Sequence, residues 1–188
     1  MMKLSEALIR INESDKAEEI SNKETAGIVR QVLKEMYPNT KFKVTTKGAS
    51  AIDVEWEDGP CTKELQYVLF VFQGTTSAIN LKNYEIDTSH KTIKGDDGKV
   101  YSFGSDYVMM YRSKGSRWKD WEKSVEDEAS KGTFKNDKDK SDFIKKKKEL
   151  GWGFVSFDKP RPSKTFKKYT KSAFPKIDSK DEKQIKRL

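Results

Sequence analysis

Residues 47–60 read KGASAIDVEWEDGP, and this stretch decides how the first half of the chain folds. Ile52, Val54 and Trp56 alternate with Asp53, Glu55 and Glu57, the period-two pattern of a strand with one buried and one wet face. Asp58-Gly59-Pro60 stops the strand. Gly59 accepts a turn conformation that other residues resist, and Pro60 cannot pair in a sheet but suits the first turn of a helix. The expected order is strand, sharp turn, helix.

Upstream, Ser21-Asn22 supplies helix-start chemistry, and Ile28, Val29, Val32, Leu33 and Met36 form one apolar stripe. Pro38 disfavours helical geometry at Tyr37, so the helix ends there. Phe42 and Val44 alternate with Lys41, Lys43 and Thr45 as a first strand, joined to the Trp56 strand by a hairpin at Lys47-Gly48. Nearer the N-terminus, Leu4, Leu8, Ile9 and Ile11 are spaced for a short amphipathic helix.

Downstream, Leu65, Val68, Leu69 and Phe72 make one face of a second helix, ended by Gly74. The extra apolar residues Phe70 and Val71 predict that this helix is sandwiched. Ile79, Leu81, Tyr84 and Ile86 allow another short strand. Two more, residues 92–94 and 99–103, are joined across Gly95-Asp96-Asp97-Gly98. Tyr107 to Tyr111 is apolar on both sides, the pattern of a central strand covered on both faces. Gly115-Ser116 opens a third helix carrying Trp118, Trp121, Val125 and Ala129. The expected fold is α+β, with a mostly antiparallel sheet, two or three packed helices and a basic C-terminal extension.

The division expected is a domain over residues 1–130 and a partly structured, Lys-rich, aromatic-containing extension over residues 131–188. Charge motivates it. Of the 38 basic and 30 acidic residues, 19 and 8 lie after residue 130 and 19 and 22 before it. Residues 134–142 read as a linker, residues 142–150 as a short helix, and Trp152, Phe154, Val155 and Phe157 as a strand-like segment.

Composition excludes much chemistry. One histidine, His90, and one cysteine, Cys61, cannot build a zinc cluster of Cys and His. His90 has no nucleophile motif nearby, and no phosphate-binding loop or dinucleotide fingerprint is present. Cys61 stands at a helix start, where a thiol can be activated, but a small residue filling the first turn is the simpler reading. No catalytic residue, cofactor or metal ligand is assigned. With no apolar run of membrane-spanning length and no signal-peptide core, the expectation is a cytoplasmic protein that does not engage a membrane.

Two surfaces remain. Asp53, Glu55 and Glu57 share one strand face, which could hold Mg²⁺ or act as paired carboxylates but reads first as a solvated face and next as an acidic recognition face. The C-terminal third interleaves lysine with aromatics: Lys145, Lys146, Lys147, Lys148, Trp152, Arg161, Lys164, Lys167, Lys168, Tyr169 and Lys171 are the candidate nucleic-acid or partner-binding residues. Lysine dominates over arginine, which favours attraction to phosphate over reading of bases.

A helix ending in Tyr37-Pro38, a strand Lys41-Phe42-Lys43-Val44, the connection Gly48-Ala49-Ser50, and Ile-Asp-Val-x-Trp-x-Asp-Gly-Pro at residues 52–60 together resemble the large polyvalent protein-associated domain family, type 29, over about residues 20–75. The resemblance implies cargo of phages and conjugative elements, sometimes delivered with DNA and suspected of countering host defences; it implies no agreed catalytic residues. The function expected is therefore a non-enzymatic, counter-defence protein of the anti-CRISPR or anti-restriction kind. Its partner would be a host nuclease or nucleoprotein complex, with DNA or RNA reached through the basic region. The alternative is a DNA- or RNA-binding protein of the element's own replication or transfer machinery.

Overall fold

The computed structural model describes residues 17–80 and 85–187. Strand β1 (Glu18–Ile20) leads into α1 (Asn22–Met36). Ser21 and Glu24 cap that helix reciprocally, the Ser21 side chain accepting from the Glu24 N–H and the Glu24 carboxylate accepting from the Ser21 N–H. Its buried stripe is Val29, Val32, Leu33 and Met36, as the spacing predicts.

Strands β2 (Phe42–Lys47) and β3 (Ala51–Glu57) pair antiparallel, Val44 opposite Val54 and Phe42 opposite Trp56. Then come α2 (Thr62–Leu69) and a 3₁₀ turn at Phe70–Phe72. The hairpin β4 (Thr75–Asn80) and β5 (Glu85–His90) follows, then β6 (Thr92–Lys94), β7 (Val100–Phe103) and β8 (Tyr107–Ser113). The C-terminal third is helical, with α3 (Ser116–Lys131), α4 (Asp137–Phe154), α5 (Lys164–Thr170) and α6 (Ser179–Arg187).

The class is α+β, but the sheet is not one mostly antiparallel layer. The described residues form two mixed three-stranded sheets, ordered β1-β7-β6 and β2-β3-β8, besides the β4-β5 hairpin. The pairings β1-β7 and β3-β8 are parallel, because each joins strands connected through intervening helices.

Four local expectations are corrected. Among the described residues strand β8 is an edge strand, paired with β3 alone; Val108 and Arg112 face the core while Tyr107, Met109 and Tyr111 are 49%, 49% and 52% exposed. Phe70 is 45% exposed, so the Phe70-Val71 excess does not mark a sandwiched helix. Residues 137–142 belong to α4 and not to a linker, since Asn136 accepts the Asp139 N–H as an N-cap. Trp152 and Phe154 end the same helix and form no strand. The residues Leu4, Leu8, Ile9, Ile11, Leu81 and Tyr84 lie outside the described ones.

The core joins α1, α2, β3 and β7 with α5. Phe166 and Tyr169 are buried in the same cluster as Phe72, Tyr101 and Phe103, and Tyr169 meets all three rings edge-on, 5.0 to 5.8 Å between centroids.

Candidate nucleic-acid interface

The Asp58-Gly59-Pro60 turn organises more than the end of β3. Asp58 and Gly59 both take positive φ, 51° and 50°, and a Cβ on Gly59 would collide with Thr40 and crowd Trp56. The buried Asp58 carboxylate accepts the backbone N–H groups of Gly115, Arg117 and Trp118 at 2.8, 3.0 and 3.1 Å. It thereby caps α3, whose own N-cap residue is a glycine with no side chain to do so.

Arg112 completes the joint. Its guanidinium donates to the carbonyls of Asp58, Gly59, Trp152 and Val155 at 2.8 to 3.4 Å, and lies over the rings of Trp118, Trp152 and Phe157. Burial pulls its pKa down to about 10, which leaves it charged at neutral pH. One side chain thus ties the β3 turn to the end of α4.

That joint positions a cleft of about 650 Å³ between α3 and α4. Trp118 and Trp152 form its floor, 5.2 Å apart and perpendicular. From α4 it is lined by Lys140, Ile144 and Lys148 at spacings of four residues, with Lys145 at the edge of the same face. Lys114 pairs with Glu122 at 2.7 Å and sits over both indoles. Burial pushes the Glu122 carboxyl up, but the Lys114 ammonium and the Trp118 indole pull it further down, leaving it below its ordinary value. Even so, the buried Trp118 Nε1 has no acceptor at hydrogen-bonding geometry among the described residues.

The lysine run of α4 divides by role. Lys147 and Lys148 pair with Glu128 and Glu126 of α3 at 2.5 and 2.6 Å. Lys145 and Lys146 are exposed.

A second surface lies on α5. Lys164, Lys167 and Lys168 fall at i, i+3 and i+4 of α5, and Lys171 follows as its left-handed C-cap (φ 61°); all four are exposed, as is Arg161 just before them. Phe166 and Tyr169 anchor the opposite face in the core. Tyr169 is therefore no stacking platform for a base. The helix is also fixed by Glu35 of α1, which accepts from Ser163 Oγ at 2.6 Å, Thr165 Oγ1 at 2.7 Å and the Thr165 N–H at 3.1 Å. Lys167 lies 3.8 Å from the Asp96 carboxylate, and Lys168 sits over the rings of Tyr101 and Tyr169.

Asp53, Glu55 and Glu57 do share one strand face, beside Tyr107, Met109 and Tyr111 of β8. Glu55 pairs with Lys43 at 2.9 Å, and Asp53 lies 3.9 Å from Lys47. Among the described residues no group of three or more His, Cys, Asp and Glu could hold a metal ion. Cys61 is buried; its thiol is pushed up to about 12, mainly by burial. Its Sγ accepts the Glu64 N–H, which makes it a helix cap.

Sequence reasoning found Lys145, Lys148 and Trp152 but missed Lys114, Trp118 and Lys140 as their neighbours. For Lys140 the signal lies in the three-to-four spacing of residues 137 to 152; nothing in the sequence near Lys114 and Trp118 points to α4. That spacing was obscured by reading residues 134–142 as a linker.

Taken together, this is an α+β domain carrying two lysine-bearing helical surfaces. Its sequence matches the large polyvalent protein associated domain 29 over residues 20–117, more than half of the chain, and it belongs to that family. The match continues well past the 20–75 segment of the resemblance and stops in the first turn of α3. No curated protein and no solved structure matches.

Proposed function

We propose that this chain is a non-enzymatic accessory protein of a phage or mobile element, acting in the bacterial cytoplasm by stoichiometric binding. Its role would be counter-defence of the anti-CRISPR or anti-restriction kind, against a host nuclease complex or the nucleic acid it carries. The observation that carries the binding part is the exposed face of α5: Lys164, Lys167 and Lys168 on one side of a helix whose other side is core, with Lys171 exposed at its C-cap. Such a face offers point charges at fixed spacing to a polyanion or to an acidic protein surface. Membership of a family whose name is compatible with mobile elements supports the setting.

The test is reversal of those four lysines to glutamate. All four are exposed, but Lys168 also lies over the Tyr101 and Tyr169 rings, so the variant's fold is checked by circular dichroism and a Lys164→Glu/Lys171→Glu pair serves as the milder reversal. The unaltered protein should recover a nuclease or nucleoprotein from a bacterial host and lower restriction or CRISPR interference against a plasmid, and the variant should do neither. Recovery of no such complex, with interference unchanged, would overturn the reading.

The second reading is a nucleic-acid-binding protein of the element's own replication or transfer. The predominance of lysine over arginine on α5 favours it, since lysine attracts phosphate without reading bases. Affinity for DNA should then fall with salt at a log-log slope of about −4, one unit per lysine engaged. A grip on a protein surface should keep most of its strength at about 0.5 M salt.

A further inference from the structure

We infer that the cleft between α3 and α4 is a single-stranded nucleic-acid site, with a base seated against Trp152 and the backbone running along the lysines of α4. Three observations meet there. First, residues 137 to 152 present one continuous helical face to the cleft, which is therefore about 22 Å long at 1.5 Å rise per residue. That is too long for one small molecule and suits a chain. Secondly, Lys140 and Lys145 on this face have no ion-pair partner among the described residues, while Lys148 already pairs with Glu126. Thirdly, the floor holds the half-buried ring of Trp152, set edge-on against the buried Trp118 indole.

These features answer to different parts of a nucleotide. An indole face stacks on any base. Two free ammonium groups about 7.5 Å apart along the helix suit a phosphate backbone. The carboxylates at the cleft limit total attraction: Glu122 is neutralised by Lys114, but Asp137 and Glu149 line the two ends. Binding is therefore driven by stacking at least as much as by charge. A duplex keeps its bases stacked inside and cannot offer one to Trp152.

The inference takes nucleic acid as ligand from the polyanion-binding reading above. Because it names a different surface, the two can fail separately. The experiment is fluorescence anisotropy with a labelled oligothymidylate about twelve nucleotides long and a duplex of matching length. The single strand should bind more tightly than the duplex and quench tryptophan emission. The double variant Lys140→Glu/Lys145→Glu, which removes no ion pair or side-chain hydrogen bond among the described residues, should weaken single-strand binding about tenfold or more at low salt. Trp152→Ala should do the same and leave a shallower loss of emission on binding. Reversal of the four α5 lysines should change single-strand affinity by less than about threefold. The inference is overturned if the Lys140→Glu/Lys145→Glu protein binds the oligonucleotide as tightly as the original. A preference for duplex, or polyglutamate competing as well as the oligonucleotide, would overturn it too.

Discussion

The Asp58 carboxylate accepts the backbone N–H of Gly115 at 2.8 Å, joining residues 57 positions apart. The same carboxylate serves Arg117 and Trp118, so the turn after β3 is the cap of α3. Replacing Asp58 by alanine strips three N–H groups of their acceptor, two of them buried. The expected cost is about 2–3 kcal/mol in urea unfolding, more than an ordinary exposed cap. Asp58→Asn keeps one acceptor oxygen and should lose about half as much. An Asp58→Ala protein as stable as the original would show that α3 is held by packing alone.

Arg112→Lys is expected to behave as a severe change. Arg112 serves four carbonyls with a planar fork and sits among three aromatic rings. An ammonium cannot reach both the β3 turn and the end of α4. The loss should be about 2–4 kcal/mol. Amide exchange should accelerate in residues 150–157 before it does in α1. Uniform acceleration across the chain would mean that Arg112 supports the whole fold and not this joint.

Much of this architecture was legible in the sequence, for reasons that stay local. Ser21 with Glu24, the Lys47-Gly48 hairpin, the Ile52-Val54-Trp56 face and the Gly95–Gly98 turn are all decided within a few residues, and each appears in the structure. What was not legible depends on partners far along the chain. Nothing near Asp58 says that it caps a helix beginning at Ser116. Nothing in Tyr107-Val108-Met109-Met110-Tyr111 says which side stays uncovered, and an apolar run on both faces reads as central. The high lysine content of the last third concealed that Phe166 and Tyr169 point inward, because charge per segment averages over two faces of one helix. The cleft was half visible, since Lys145, Lys148 and Trp152 lie on α4 while Lys114 and Trp118 come from elsewhere.

Acid should loosen the attachment of α5. Burial alone would raise the Glu35 carboxyl, but the donors of Ser163 and Thr165 outweigh it and bring the pKa down to about 2. A carboxyl lowered on folding stabilises the fold above its unfolded value, near 4.3, and that contribution is lost as pH falls from there towards 2. Glu35 is partly solvated, so about 1–2 kcal/mol is the expected contribution at neutral pH. Glu35→Gln should remove it at pH 7 and flatten the stability profile between about pH 5 and 2. Parallel profiles for the two proteins would assign the acid sensitivity to other carboxylates.

Gly151 offers a test in which helix propensity and packing oppose each other. It is buried within α4, directly against the Trp121 ring, and a Cβ built there would fall inside the ring's van der Waals surface. In an exposed helix, glycine to alanine gains about 1 kcal/mol. Here the added methyl must displace Trp121, which packs 4.9 Å from Trp118 at the cleft floor, and overpacking of this kind costs about 1–3 kcal/mol. Gly151→Ala should therefore destabilise the protein by about 1–2 kcal/mol. It should also shift tryptophan emission, because the ring that moves adjoins the indole at the cleft floor. A gain in stability with unchanged emission would mean that α4 can slide away from α3, and that the cleft between them is not held at a fixed width.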